Sequence, residues 1–219
     1  MAIAYRSEAH NDVDDVSITV SKPSGTIDGD VMLAVVYAGN ETISGAPGGW
    51  TLIGSLDWFG GKESSGYYKV ASSEGANYTW TIGASSQMKG TIVTYSGASG
   101  VNTTGTDYNT CDGAGAYTPP TITPSVDNCM IVALQVGEVA TTDVVPDSSP
   151  AATQRVEWRG TTPEVVTFVQ DYQQTTAAAV SLGVTGWAAS DLIATYTVAL
   201  AEAASTGAAT FLLLGVNSP

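Results

Sequence analysis

Two apolar runs about a hundred residues apart constrain this chain more than any other feature: "GDVMLAVVYAG" (29–39) and "DNCMIVALQVG" (127–137). Each has the length of a strand and falls far short of the ~18 residues a membrane-spanning helix needs. A run of that length, almost wholly apolar and bounded by turn residues, predicts a strand covered on both faces. Each is preceded by an acidic, turn-forming segment, "TIDGD" (26–30) in one case and "SVDN" (125–128) in the other. Asp and Asn bond their own backbone and Gly supplies positive φ, so turn chemistry alone accounts for Asp28-Gly29-Asp30.

The echo extends further. "YYKVASSEGANYTWTI" (67–82) aligns without a gap on "VQDYQQTTAAAVSLGV" (169–184), and "TIVTY" (91–95) falls near "LIATY" (192–196). Strict alternation in "VSITV" (16–20) and "YTWTI" (78–82) predicts strands with one buried face. With 24 glycines and 43% hydrophobic residues there is no room for a helical Lys/Glu/Leu pattern. The expected fold is therefore all-β: an antiparallel, jelly-roll-like β-sandwich forming one domain over 1–204, from pseudo-repeated halves at about 16–100 and 119–200. The halves are expected to supply complementary sheets, and the junction "AYTPPTITPSVDN" (116–128) is too short for a free linker. Its Pro119, Pro120 and Pro124 fit an edge or the start of a strand. Residues 205–219 form either an extra strand or a docking tail, because "FLLL" (211–214) needs an apolar partner.

Charge narrows the function classes. Twenty-one acidic residues against seven basic ones leave a net charge of −14, with no basic stripe. Nucleic-acid binding and docking to an anionic membrane both need clustered Lys and Arg, so neither is expected. The opening "MAIAYRSEAHNDVDD" lacks an apolar signal core, which points to a soluble product made in the cytoplasm.

No catalytic constellation is apparent, and no cofactor is expected. His10 stands beside Glu8 as the chain's one histidine, and no G-x-S-x-G elbow accompanies it. Calcium is the alternative for the acidic turns, should "NDVDD" (11–15) converge with Asp28 and Asp30, although neither matches an EF-hand loop. Glu41, Glu63, Glu74, Glu138, Glu157 and Glu164 sit beside loop residues, where carboxylates are usually solvated. Cys111 and Cys129 read as two free thiols, with a disulfide left open. Trp50 and Trp80 are expected in the core. Trp58 and Trp158 are candidates for a surface aromatic contact, such as sugar stacking, or for rim packing. The candidates for a protein interface are Ile3, Tyr5 and Arg6 of the first strand, with Phe211, Leu212, Leu213 and Leu214 of the tail.

The succession "ITVSKPSGTIDGDVMLAVV", "APGGWTLIG", "GYYKVASSEGANYTWTIGAS" and "GTIVTYSGA" resembles a family of β-sandwich domains in tailed-phage structural proteins, over about residues 3–200. The family includes capsid decoration proteins and tail or fibre proteins. The chain departs from that pattern after Leu200 and in "VPDSSPAATQRVEW", which stands in for the Trp50 segment. The resemblance implies a virion component with no catalytic or metal residues. Without coiled-coil heptads or a collagen-like stalk, the expectation is a decoration (cement) protein on the outer capsid surface, assembled in the host cytoplasm. It would bind the major capsid protein and copies of itself, the homotrimer being the form considered. The alternatives are a tail, baseplate or receptor-binding protein, or a carbohydrate-binding module. Negative charge suits a surface that faces solvent instead of packaged DNA.

Overall fold

The computed structural model describes residues 1–58, 61–110, 116–138, 144–146, 150–160, 165–187 and 192–204. Its strands are β1 (Ala4–Ser21), β2 (Val31–Tyr37), β3 (Ile43–Gly45), β4 (Thr51–Trp58), β5 (Lys62–Val70), β6 (Asn77–Ser96) and β7 (Ala98–Thr110), followed by β8 (Cys129–Glu138), β9 (Val145–Pro146), β10 (Thr153–Trp158), β11 (Val165–Gln174), β12 (Val184–Thr185) and β13 (Leu192–Glu202). All named pairings are antiparallel. They build an all-β sandwich of two main sheets.

The first sheet runs β1-β6-β2-β5-β4 and the second β10-β11-β8-β13-β7. Reversing the second gives β7-β13-β8-β11-β10, so the strands correspond in order: β1 with β7, β6 with β13, β2 with β8, β5 with β11, β4 with β10. By topology the halves run Ala4–Ser96 and Ala98–Glu202, wider than the two echoes in the sequence, and each half makes one whole sheet. Gly97, at φ +76, turns the chain from the first to the second.

The central strands β2 and β8 explain the layering. Val31, Leu33, Val35 and Tyr37 face Met130, Val132, Leu134 and Val136 across the shared core, which also takes Val93, Tyr95, Val169, Tyr196 and Val198. The opposite face of β2, Met32, Ala34 and Val36, lies beneath Ile18, Val20, Tyr78, Trp80 and Ile82. Those five belong to the alternating segments of β1 and β6, which pair with each other (Ile18 with Trp80, Val20 with Tyr78). The pair folds over the sheet after a register break at Asp15/Ser17, with one face down and the other in solvent. The second sheet has its own cover: Tyr117 and Ile122 bridge to Val184 and Val180, closing over Phe168, Ile193, Ile131 and Ala133. The proline-bearing junction is thus part of a roof. Each buried Val, Leu or Ile contributes roughly 1.5–3 kcal/mol, so both roofs add substantially to stability.

Face assignment corrects the detailed alignment of the halves. Setting Val31 on Cys129 puts a residue of the shared core on one that faces the roof, and setting Tyr67 on Val169 does the same. A strand offset by one residue exchanges its faces. By face, the counterpart of Val31 is Met130. The alignment of Tyr78, Trp80 and Ile82 on Val180, Leu182 and Val184 places buried roof residues on buried roof residues.

Glycine at position 66 is required by packing, because a Cβ there would lie 2.6 Å from the Tyr196 ring. Gly66→Ala should cost about 1–3 kcal/mol by overpacking. Gly75→Ala, where a Cβ meets nothing within 4 Å, should be neutral within about 0.5 kcal/mol. Denaturant midpoints of the two variants check both.

Candidate functional site

The turn that opens the first apolar run is clasped from an edge strand. Arg6 is the extra residue of a bulge in β1, where the pairing with β6 skips from Tyr5 to Ser7. Released from the ladder, its guanidinium reaches Asp30: Nε lies 2.7 Å from Oδ2 and Nη2 donates to Oδ1 at 3.1 Å. Asp30 is buried and also accepts from the Ile27 amide at 3.0 Å, closing the turn on itself. Gly29, at φ +89, gives that turn its conformation, and Asp28 accepts from the Ser73 amide at 2.7 Å. The carboxylates of Asp28-Gly29-Asp30 therefore organise a turn.

The second half repeats the device with different chemistry. In β7 the pairing with β13 skips Asn102, which corresponds topologically to Arg6. Its amide donates to Ser125 Oγ and accepts from the Ser125 amide, both at 2.8 Å. Ser125 opens "SVDN", so the turns leading into β2 and β8 are each held by a bulged edge residue. The next corresponding bulge holds Ile53 in β4 and Arg155 in β10.

Between the halves runs a ladder of buried polar contacts from β6 to β11. Lys89 donates to the carbonyls of Arg159 and Val165, the latter at 2.8 Å. Thr91 bonds Thr167 at 2.7 Å, and Tyr95 donates to Asp171 at 3.0 Å. The same Asp171 oxygen takes Arg155 Nε at 2.7 Å. In the reciprocal direction Tyr196 of β13 donates to the Ser64 carbonyl of β5 at 2.6 Å. Burial pulls the Lys89 ammonium below its ordinary pKa, partly opposed by Asp12.

The sequence candidates fall on this frame as follows. Ile3 is buried in the shared core. Tyr5 is half-buried, edge-on to Tyr95 with centroids 5.8 Å apart, and lies under the Arg155 guanidinium at 5.0 Å. With Arg6 bound to Asp30, all three residues make contacts within the chain. Trp158 stacks on His10 at 4.4 Å, with Lys89 Nζ 5.3 Å from its centroid, so it packs on the seam between β1 and β10. Trp80 is fully buried and Trp50 packs edge-on against it at 5.5 Å. Cys129 is a free, buried thiol. Phe211–Leu214, Cys111, Glu164 and the side chains of Trp58 and Glu138 lie outside the described residues. Asn11–Asp15 run along β1 opposite Ser86–Gly90. Among the described residues no three His, Cys, Asp or Glu gather as a metal site would require.

Sequence reasoning missed Asp171, Tyr95, Lys89 and Asn102. Asp171 had a signal: an acid inside "VVTFVQDYQ", a strand otherwise fit for burial, must find a partner. Asn102 had none, since a bulge depends on pairing register.

One open depression of about 500 Å³ lies at the end of the sandwich where Met1, the turn at Ser96–Ala98 and Ala203–Ala204 meet, with Arg6 and Ile27–Asp30 on its other side. Comparison of the chain with protein-family models, curated proteins and solved structures finds no match.

Two measurements test the seam. Asp30→Ala should cost about 3 kcal/mol, at the low end for breaking a buried ion pair because Arg6 is 31% exposed. Desolvation, reinforced by neighbouring carboxylates, holds the Tyr95 phenol well above its ordinary value and raises Tyr5 to about 12; burial also raises Tyr196. A raised folded-state pKa contributes stability that is full below the unfolded value near 10 and is lost as pH climbs beyond it. Ultraviolet titration should therefore show these phenolates appearing together with unfolding, above about pH 10. Their smooth ionisation in a folded protein at that pH would contradict the burial described.

Proposed function

We propose that this chain is a tailed-phage capsid decoration protein. It would bind the outer surface of the assembled shell without covalent linkage, bridge neighbouring capsomers and associate with copies of itself. The observation that carries this reading is how the interior polar groups are used: Tyr95–Asp171, Thr91–Thr167 and Tyr196–Ser64 tie one sheet to the other. Such contacts fix one sheet against the other, as a body that bridges other proteins would require. Its net charge of −14 favours an outer, solvent-facing position over one against packaged DNA. The resemblance to phage sandwich domains supports the same reading.

Such a protein acts by mass action, since contacts present only on the intact shell are lost when it opens. At a hundred times the dissociation constant the gain is about 2.7 kcal/mol per site. Added to undecorated shells, the protein should raise their disruption temperature in a saturable way, and electron cryo-microscopy should place it on the shell exterior. Removal of residues 205–219 should leave the sandwich folded and abolish shell binding. Density on the tail instead would replace this reading with a receptor-binding one.

A further inference from the structure

We propose that the depression beside Ile27 and Ala204 is the seat of this chain's own apolar segment, Phe211–Leu214. Its wall is built largely from Met1, Ile27, Ala98, Ala203 and Ala204, and its volume of about 500 Å³ falls within the ~300–1,000 Å³ of cavities that bury compact apolar ligands. Ile27 is 60% exposed there, a large apolar side chain with no cover from the described residues. The turn that presents it is held rigidly by Arg6 and Asp30, so this wall is preformed.

The occupant follows from connectivity. The described chain stops at Ala204, itself part of the wall, and six residues, "STGAAT" (205–210), separate it from Phe211. Extended, that spacer reaches about 20 Å, and Ser205, Thr206 and Gly207 are suited to reversing the chain. A segment tethered at the rim has an effective concentration in the millimolar range, which a segment in free solution does not match. Successive side chains of an extended segment point to opposite sides, so alternate members of "FLLL" would enter the depression together.

Charge favours the chain's own segment over a docked second copy. Residues 205–219 carry no charged side chain, and Asp30 at the rim is already paired with Arg6, whereas two whole bodies of charge −14 repel each other. This seating is tested on the isolated full-length protein, where no shell competes for the same residues.

In a Cys111→Ser background, Ile27→Cys with Leu213→Cys should oxidise to a disulfide within a single chain. It should form at least tenfold faster than in a control joining Leu213→Cys to Val145→Cys, at an exposed position on the second sheet's roof. Mass spectrometry separates the outcomes: a disulfide between chains, or a rate no greater than the control, would overturn the proposal. Independently, Ile27→Asp, which leaves the core untouched, should speed chymotryptic cleavage at Phe211–Leu214 at least tenfold with near-ultraviolet circular dichroism unchanged. Unaltered cleavage would likewise count against it.

Discussion

Everything in this molecule answers to the burial of β2 and β8 on both faces. A strand with solvent on neither side must have its backbone paired to both neighbours, and each face must be matched by a second apolar layer. One layer is shared, since β2 and β8 face each other across the core. The other cannot be shared, so each half brings its own roof, from β1 and β6 in one case and from residues 117–122 and 180–184 in the other. Both roofs enclose polar groups. Beneath the first, Thr94 bonds Thr26 at 3.1 Å. Among the described residues Gln135, Thr195 and Thr197 beneath the second have no hydrogen-bond partner, and neither have the indole Nε1 atoms of Trp50 and Trp80 in the first, each at a cost of about 1–3 kcal/mol.

This constraint made much of the fold legible in advance. Continuous apolar runs mark strands covered twice, and strict alternation marks strands covered once, so "VMLAVVY" and "YTWTI" announce their layers. The correspondence between the halves was visible in part because the roof segments share their alternation, Tyr78-Trp80-Ile82 against Val180-Leu182-Val184. Register was not visible. Whether Val31 matches Cys129 or Met130 depends on ladder pairing between distant strands, and composition does not record it. The same limit hid the bulges: nothing local to Arg6 or Asn102 says that the ladder will skip it. Tyr95 and Asp171, 76 residues apart, meet only because one sheet crosses the other. The acidic turn was readable, because Asp-Gly-Asp before a strand has a sufficient local explanation.

The distribution of charge separates inside from outside. Buried carboxylates such as Asp30 and Asp171 each meet an arginine, and Lys89 is enclosed by carbonyls and an indole face. Much of the chain's small complement of basic residues is thus engaged inside or along the seam, and the remaining acids set the character of the exterior. A net charge of −14 repels polyanions on Coulombic grounds.

The reciprocity of the contacts has one more consequence. β1 lies against β10 through Tyr5 and Arg155, while β7 lies against β4 at Thr106 and Gly54; β6 meets β11, while β13 meets β5. When element i touches j and the counterpart of i touches the counterpart of j, the contact is isologous, the arrangement of a two-fold dimer. The sandwich core is such a dimer interface written into one chain, with Gly97 as the splice. A single half on its own would expose an entire apolar sheet face, and its natural way of covering it would be another copy of itself.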